Sequence, residues 1–362
     1  MKKNFGTHFL ILLWLSLALL AWLKPADPAS DSERRQLAQR PGLSAEGVLS
    51  GRFMEEFGEY AVDQFPFRDA FRRLKAYCAA GAFYQNDNNG IYLAEGSAAK
   101  MEYPLDPASL DNAAERFQAL YDTCLQESNH IFFAIVPDKG YYLAQPSGHL
   151  ALDYDSLSQT LQQKLPWANF IDLTGTLNAG SYYRTDTHWR QEALLPTAAH
   201  LAQALGVDFS NLFHPQTLTE DFRGVYAGQS ALPLAPDRLE YLTWEGWEDC
   251  SVWSLDTGKT TPVYDLSKGD SRDQYDIFLS GGMALQTITN PHAQSSRELI
   301  VFRDSFGSSL IPLLVPQYAK ITLIDTRYIS PGQLQNYVNF QGTDVLMLYS
   351  TLILNSSGTL RK

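Results

Sequence analysis

Ser305, His188 and Asp186 are the residues whose types and spacing could do chemistry. Ser305 lies in Leu299–Val315, LIVFRDSFGSSLIPLLV, where an apolar run of strand length drops into Arg303-Asp304-Ser305-Phe306-Gly307 and a second apolar run follows. That order reads as strand, tight turn, helix. A serine at such a hand-over is lifted to the edge of the sheet, and N–H groups at the helix start can face whatever it attacks. Gly307 suits a crowded turn because it has no Cβ. The plain alternative is a helix N-cap, with Asp304 or Ser305 accepting a backbone N–H.

His188 stands in Tyr183-Arg184-Thr185-Asp186-Thr187-His188-Trp189. Residues two apart in extended or turn backbone can face the same way. Asp186 could therefore accept from His188 Nδ1–H and fix the tautomer that leaves Nε2 free to take a serine proton. A serine esterase needs that trio. Here too a plain alternative stands, in which Asp186 or Thr187 caps the following helix and His188 is a surface residue.

Both motifs fall where an alternating pattern of strands and helices would put them. A helix pattern over Leu110–Leu125 precedes a strand Ile131–Val136, and another over Leu157–Leu165 precedes Phe170–Leu173. His188 follows that strand and its loop, ahead of a helix carrying Leu194, Ala198, Leu201 and Leu205. The strand Leu299–Phe302 leads through Ser305 into a helix Gly307–Val315, whose last turn is weakened by Pro312. Ile321–Ile324, a helix Gly332–Val338 and Val345–Leu348 complete an α/β sandwich around a mainly parallel sheet. From about 207 to 297 the alternation stops, and short runs such as Val263–Leu266 and Tyr275–Leu279 between Gly, Pro, Trp and Tyr read as a β-rich insertion. Open sheets of this kind carry their sites at the C-terminal strand edge, so the trio should converge there.

The N-terminus is organised differently. Lys2 and Lys3 precede an apolar run, Phe9–Leu23, and Lys24-Pro25 follows, which is the layout of an export signal or anchor over residues 1–24. The absence of a small-x-small cleavage pattern favours an anchor, and the leading lysines place everything after it outside. Residues 25–47, rich in Pro, Ala, Ser and charge, read as a tether. In 48–85, Phe53, Phe57, Tyr60 and Ala61, then Phe71, Leu74 and Cys78, recur at helical spacing and predict two short helices, with core packing as the expected use of their apolar stripes. The alternative is a partner-binding hairpin. Residues 86–362 would form the body.

Several function classes are excluded. A net charge of -12 without a basic block argues against nucleic acid. Gly-x-x-x-x-Gly-Lys, Gly-x-Gly-x-x-Gly and His-Glu-x-x-His do not occur, so nucleotide, dinucleotide and zinc-protease readings lack their residues. The other histidines have no partner at ligand spacing, and neither a metal nor an organic cofactor is expected. Cys78, Cys124 and Cys250, far apart and odd in number, read first as small apolar residues and second as one pair plus one.

Asp186-Thr187-His188-Trp189 together with Arg303-Asp304-Ser305-Phe306-Gly307 resembles the SGNH-hydrolase-like domain of the DHHW family and of the alginate O-acetylation proteins AlgX and AlgJ. Phe65-Pro66-Phe67-Arg68-Asp69, Asn89-Gly90-Ile91-Tyr92-Leu93, Val136-Pro137-Asp138-Lys139, Phe278-Leu279-Ser280-Gly281-Gly282 and Ile324-Asp325-Thr326-Arg327-Tyr328 are similar as well, so the likeness spans most of Phe65–Ser350. Thr187 departs from the pattern where the family name would put its first histidine.

The resemblance implies a three-layer SGNH-hydrolase-like sandwich, circularly permuted because the Asp/His pair precedes the serine. It implies Ser305 as nucleophile, His188 as base and Asp186 as its orienter. The Ser305 N–H, with Gly281 or Gly282 as candidate second donor, would form the oxyanion hole. Trp189, Lys139, Arg303 and Tyr226 are candidate substrate contacts, and Trp189, Tyr226, Trp244 and Trp247 could make a sugar-stacking surface. The implied activity is an extracytoplasmic O-acetyl esterase or O-acetyltransferase acting on a cell-surface polysaccharide through an acyl-serine. The alternative is a non-catalytic glycan-binding or scaffold component beside a membrane-bound O-acyltransferase.

Overall fold

In the computed structural model, which describes residues 4–362, the chain forms two compact units: residues up to 89 together with 227–233, and residues 90–226 together with 234–362. Lys2 and Lys3 lie outside the described residues.

The first unit begins with α1 (Phe5–Leu23), a 19-residue helix that is apolar on every side. At about 1.5 Å per residue it is some 28 Å long, the thickness of a bilayer's hydrocarbon core. The 25–47 stretch is not the free tether its composition suggests. Its β1 (Ala29–Ser30) and β2 (Arg35–Gln36) form a small antiparallel pair. Arg35 forks onto Asp63 at 2.8 and 2.5 Å, and Ala38 N–H donates to the same carboxylate. The Arg35 guanidinium holds the Asp63 carboxyl down to about 2. Then come α2 (Ala45–Leu49), α3 (Arg52–Asp63) and α4 (Arg68–Tyr77). Of the apolar stripes expected to pack inward, that of α3 is half-buried at Phe53, Phe57 and Tyr60, whereas that of α4 is exposed, with Phe71 and Leu74 at 44% and 57%.

The second unit opens with the hairpin β3 (Ile91–Ala94) and β4 (Ser97–Lys100). Its centre is an eight-stranded sheet built from β5 (Ile131–Val136), β6 (Asn169–Asp172), β9 (Ser251–Ser254), β10 (Thr260–Pro262), β11 (Leu285–Thr289), β12 (Glu298–Arg303), β13 (Lys320–Ile324) and β14 (Asp344–Ser350). The order is β10-β9-β11-β13-β12-β14-β5-β6. The five strands from β13 to β6 run parallel, and β11, β9 and β10 continue the sheet antiparallel. The 207–297 stretch is β-rich, as its composition suggests. It widens the main sheet by three strands and adds the hairpin β7 (His214–Phe222) and β8 (Asp237–Thr243). Val263–Leu266 and Tyr275–Leu279 form no strands, meeting only in a single bridge between Tyr264 and Phe278.

The apolar runs of the parallel strands are continuous because both faces are covered. On one face Leu299, Val301, Leu346 and Leu348 pack with Ala198 and Leu201 of α8 (Leu195–Ala204). On the other, Ile300, Phe302, Val345 and Met347 pack with Phe117 of α5 (Pro107–Cys124) and Leu161 of α7 (Tyr154–Lys164). Asp106 and Asp153 cap α5 and α7 through their side chains, as acceptors at a helix start do. Between them α6 (Gly140–Leu143) is a single turn. After α9 (Val225–Ser230), α10 covers only Gly307–Leu310 and tightens to a 3₁₀ helix over Ile311–Gln317, because Pro312 and Pro316 cannot donate to an α-helical ladder. The cysteines are unpaired, with Cys124 and Cys250 buried and their thiols pushed up to about 11 by desolvation.

Candidate active site

Ser305 sits two residues past the end of β12, a buried strand whose C-terminus ends in a turn fixed by its own acid. Asp304 accepts from Phe306 N–H at 3.0 Å and from Ser350 N–H at 2.7 Å, tying the turn to the end of the neighbouring parallel strand. A Cβ on Gly307 would lie 2.9 Å from Arg303 Cβ, so only glycine fits this turn without a shift. Ser305 is part-exposed, and its backbone N–H has no acceptor among the described residues.

His188 comes from a loop folded back on itself. Tyr183 N–H donates to His188 O at 3.1 Å and Arg190 N–H to Ser181 O at 2.8 Å, so Asp186 and His188 share the inner side of a tight hairpin. His188 Nδ1 donates to Asp186 Oδ1 at 2.6 Å, the carboxylate being an acceptor only, and Nε2 lies 2.8 Å from Ser305 Oγ. The spacing matches the three-residue relay of a serine hydrolase, and all three groups come together at the C-terminal edge of the parallel strands. The imidazole is held flat by Tyr275, whose ring stacks on it at 4.0 Å and 9°.

Several partners of this arrangement have no signal in the local motifs. Asp186 Oδ2 accepts from Val225 N–H at 2.8 Å, and Gly224 passes so close that a Cβ there would sit 2.2 Å from Asp186 Cβ. The Asp237 carboxylate takes Arg184 N–H, Thr185 N–H and the Thr185 hydroxyl at 2.9, 2.9 and 2.6 Å, clamping the loop from β8. Trp189 donates its indole N–H to Phe306 O and Ser309 Oγ, both at 3.0 Å, bracing the His188 loop against the Ser305 turn. Asp237 and Gly224 are 49 and 36 residues from His188 in sequence, and only folding brings them close.

The residues expected to touch substrate are placed otherwise. Trp189, Arg303, Lys139 and Tyr226 are 0, 1, 2 and 4% exposed, and Trp244 is buried as well, so these side chains form no sugar-stacking face. Arg303 donates to Ser308 Oγ and Gln286 Oε1 and serves as scaffold beneath the turn. Lys139 Nζ donates to Ala98 O and Tyr183 O, each at 2.6 Å, and burial pushes it down to about 7 against the pull of Asp186 and Asp237. Tyr226 covers that ammonium with its ring at 5.1 Å and donates its hydroxyl to Thr187 Oγ1. Gly281 N–H is already given to Phe278 O, which removes it as an oxyanion donor, whereas Gly282 is exposed. No group of three metal-binding side chains occurs among the described residues.

A sheet covered by helices on both faces, with Asp186, His188 and Ser305 in one hydrogen-bonded line at its edge, is therefore what fold and site define. No protein-family model and no curated protein sequence matches the chain. Solved structures do. A DHHW family protein from Eubacterium siraeum is similar over 76% of this chain and 97% of its own, at 20% identity and a TM-score of 0.59. PatB1 from Bacillus cereus, solved with a sulfonyl adduct, is similar over 73% and 95%, at 15% identity and a TM-score of 0.57. The O-acetyltransferase domain of AlgJ from Pseudomonas putida gives 0.44 at 15% identity, over 74% and 92%. The likeness is one of fold, and it is the fold that the two sequence motifs lead one to expect.

Proposed function

We propose that this chain is an extracytoplasmic serine O-acetyl esterase or O-acetyltransferase acting on a cell-surface glycan. The observation that carries the reading is the unbroken line Asp186 Oδ1, His188 Nδ1, His188 Nε2, Ser305 Oγ at 2.6 and 2.8 Å. His188 Nε2 takes the Ser305 proton as Oγ bonds to the acetyl carbonyl carbon. The Ser305 N–H supports the oxyanion as it develops. When the tetrahedral centre collapses, the departing alkoxide takes the proton from His188 and leaves acetyl-Ser305. Water or a sugar hydroxyl then gives its proton to Nε2 and attacks, and Ser305 is regenerated as acetate or the new ester leaves. Asp186, buried and negative, stabilises the imidazolium formed in both halves.

The test uses the full chain in detergent or nanodiscs with an aryl acetate and with an acetylated oligosaccharide, reading acetate release and transfer. A sulfonyl fluoride, which labels serines activated by a neighbouring base, should modify Ser305 and stop turnover. Ser305→Ala should reduce kcat by about 10³-fold or more. Wild-type turnover in Ser305→Ala would sink the reading. Glycan binding by a wild-type protein without turnover would favour the scaffold alternative.

A further inference from the structure

The apolar stripe of α4 points out of the first unit. Successive helical residues are about 100° apart, which puts Phe67, Phe71 and Leu74 on one face and Arg68, Arg72 and Ala76 on another. Phe67, Phe71, Leu74 and Tyr77 are 66, 44, 57 and 56% exposed, whereas Ala76 is buried. Arg68 and Arg72 turn inward, both paired with Glu33, and Arg72 also donates to Gly228 O at 2.5 Å. A helix facing water does the reverse. Arg73 and Lys75 are exposed and flank the stripe on either side.

The chain also fixes where this face lies. Asp27 and Gln64 exchange two hydrogen bonds, Asp27 N–H to Gln64 Oε1 at 2.8 Å and Gln64 Nε2 to Asp27 O at 2.9 Å. Asp27 is four residues past the end of α1, a reach of at most about 14 Å, and Gln64 is three residues before Phe67. The clasp therefore holds the start of α4 beside the end of the apolar helix.

We propose that α4 lies in the interface of the bilayer that α1 crosses, with its Phe67–Tyr77 face among the acyl chains and Arg73 and Lys75 reaching back to lipid phosphates. Aromatic and aliphatic residues on one face with cations at its margins are what such a helix requires. This rests on α1 being retained as an anchor, and not on the acetyl chemistry.

The full chain is placed in nanodiscs containing phosphatidylglycerol, in a Cys78→Ala background, with a spin label at Phe71→Cys, Leu74→Cys or, as the polar control, Asp69→Cys. Collisions with oxygen relative to a water-soluble nickel chelate should be several-fold higher at 71 and 74 than at 69. Equal nickel access at all three positions overturns the proposal, and so does spin–spin broadening at 71 and 74, which would put a second copy on this face. Alkaline extraction of wild-type membranes is read separately. Release of the protein would sink both the anchor and this inference, while retention with water-exposed labels would sink this inference alone.

Discussion

Gly224→Ala should disable the site without touching a reacting atom. A Cβ there would lie 2.2 Å from Asp186 Cβ and 2.4 Å from its Cα, while ordinary contact begins near 3.4 Å. Because one of the opposing atoms is backbone, no rotamer change relieves the overlap, and the two segments must part by about 1 Å. The Asp186–His188 contact of 2.6 Å then lengthens past hydrogen-bonding range, and the Val225 N–H bond to Asp186 goes with it. Misplacement on this scale costs about 10²-fold in rate, or about 2.7 kcal/mol of barrier. Overpacking would also cost about 1–3 kcal/mol of stability. Aryl-acetate kinetics and a thermal melt separate the two effects: kcat falls about a hundredfold, KM changes little and the melt stays cooperative. Because the damage passes through Asp186, Gly224→Ala added to Asp186→Asn should slow that variant scarcely further. Full additivity of the two, or a Gly224→Ala enzyme with wild-type kcat, would refute the reasoning.

His188→Ala should match Ser305→Ala, and the double variant should be scarcely slower than either, since the pair acts as one unit; Asp186→Asn should be milder if the imidazole stays in place. Lys139, pushed down to about 7 by burial, binds fewer protons folded than unfolded above that pH. Its contribution therefore makes the unfolding free energy rise with pH between about 7 and 9, and Lys139→Met should flatten that slope in denaturant melts while leaving the Ala98 and Tyr183 carbonyls without their donor. Asp63, held near 2 by Arg35, contributes stability that is fully present above its ordinary pKa near 4 and is lost as pH falls towards 2. Asp63→Asn should speed amide exchange across residues 25–40 at neutral pH, and an unchanged exchange rate there would contradict a stabilising Arg35–Asp63 pair.

The run LIVFRDSFG carried its own reading, because a strand buried on both faces must be uniformly apolar and a turn after it must tolerate close backbone. Asp186 and His188 were legible as a pair because two-residue spacing in a tight turn suffices to join them. The sandwich followed from the alternation of runs. That the 207–297 stretch is β-rich was legible in its short runs, but not that three of its strands pair onto the edge of the main sheet, because pairing partners leave little mark on a strand's own sequence. The same limit hid Gly224, Asp237 and Tyr275, which reach the site only through contacts between distant segments.

Periodicity also gave the wrong direction for α4. A 3.6-residue repeat shows that one face is apolar and says nothing about whether that face turns in or out. Glu33 decided it by drawing Arg68 and Arg72 inward. Trp189, Lys139, Arg303 and Tyr226 were similarly ambiguous, since aromatic and cationic side chains serve a glycan or a buried brace equally well by type. By itself, then, the sequence determined which residues could react and which elements carry them. The tertiary structure decided which side chains are left facing solvent, because burial depends on everything packed around a residue and not on its neighbours in the chain.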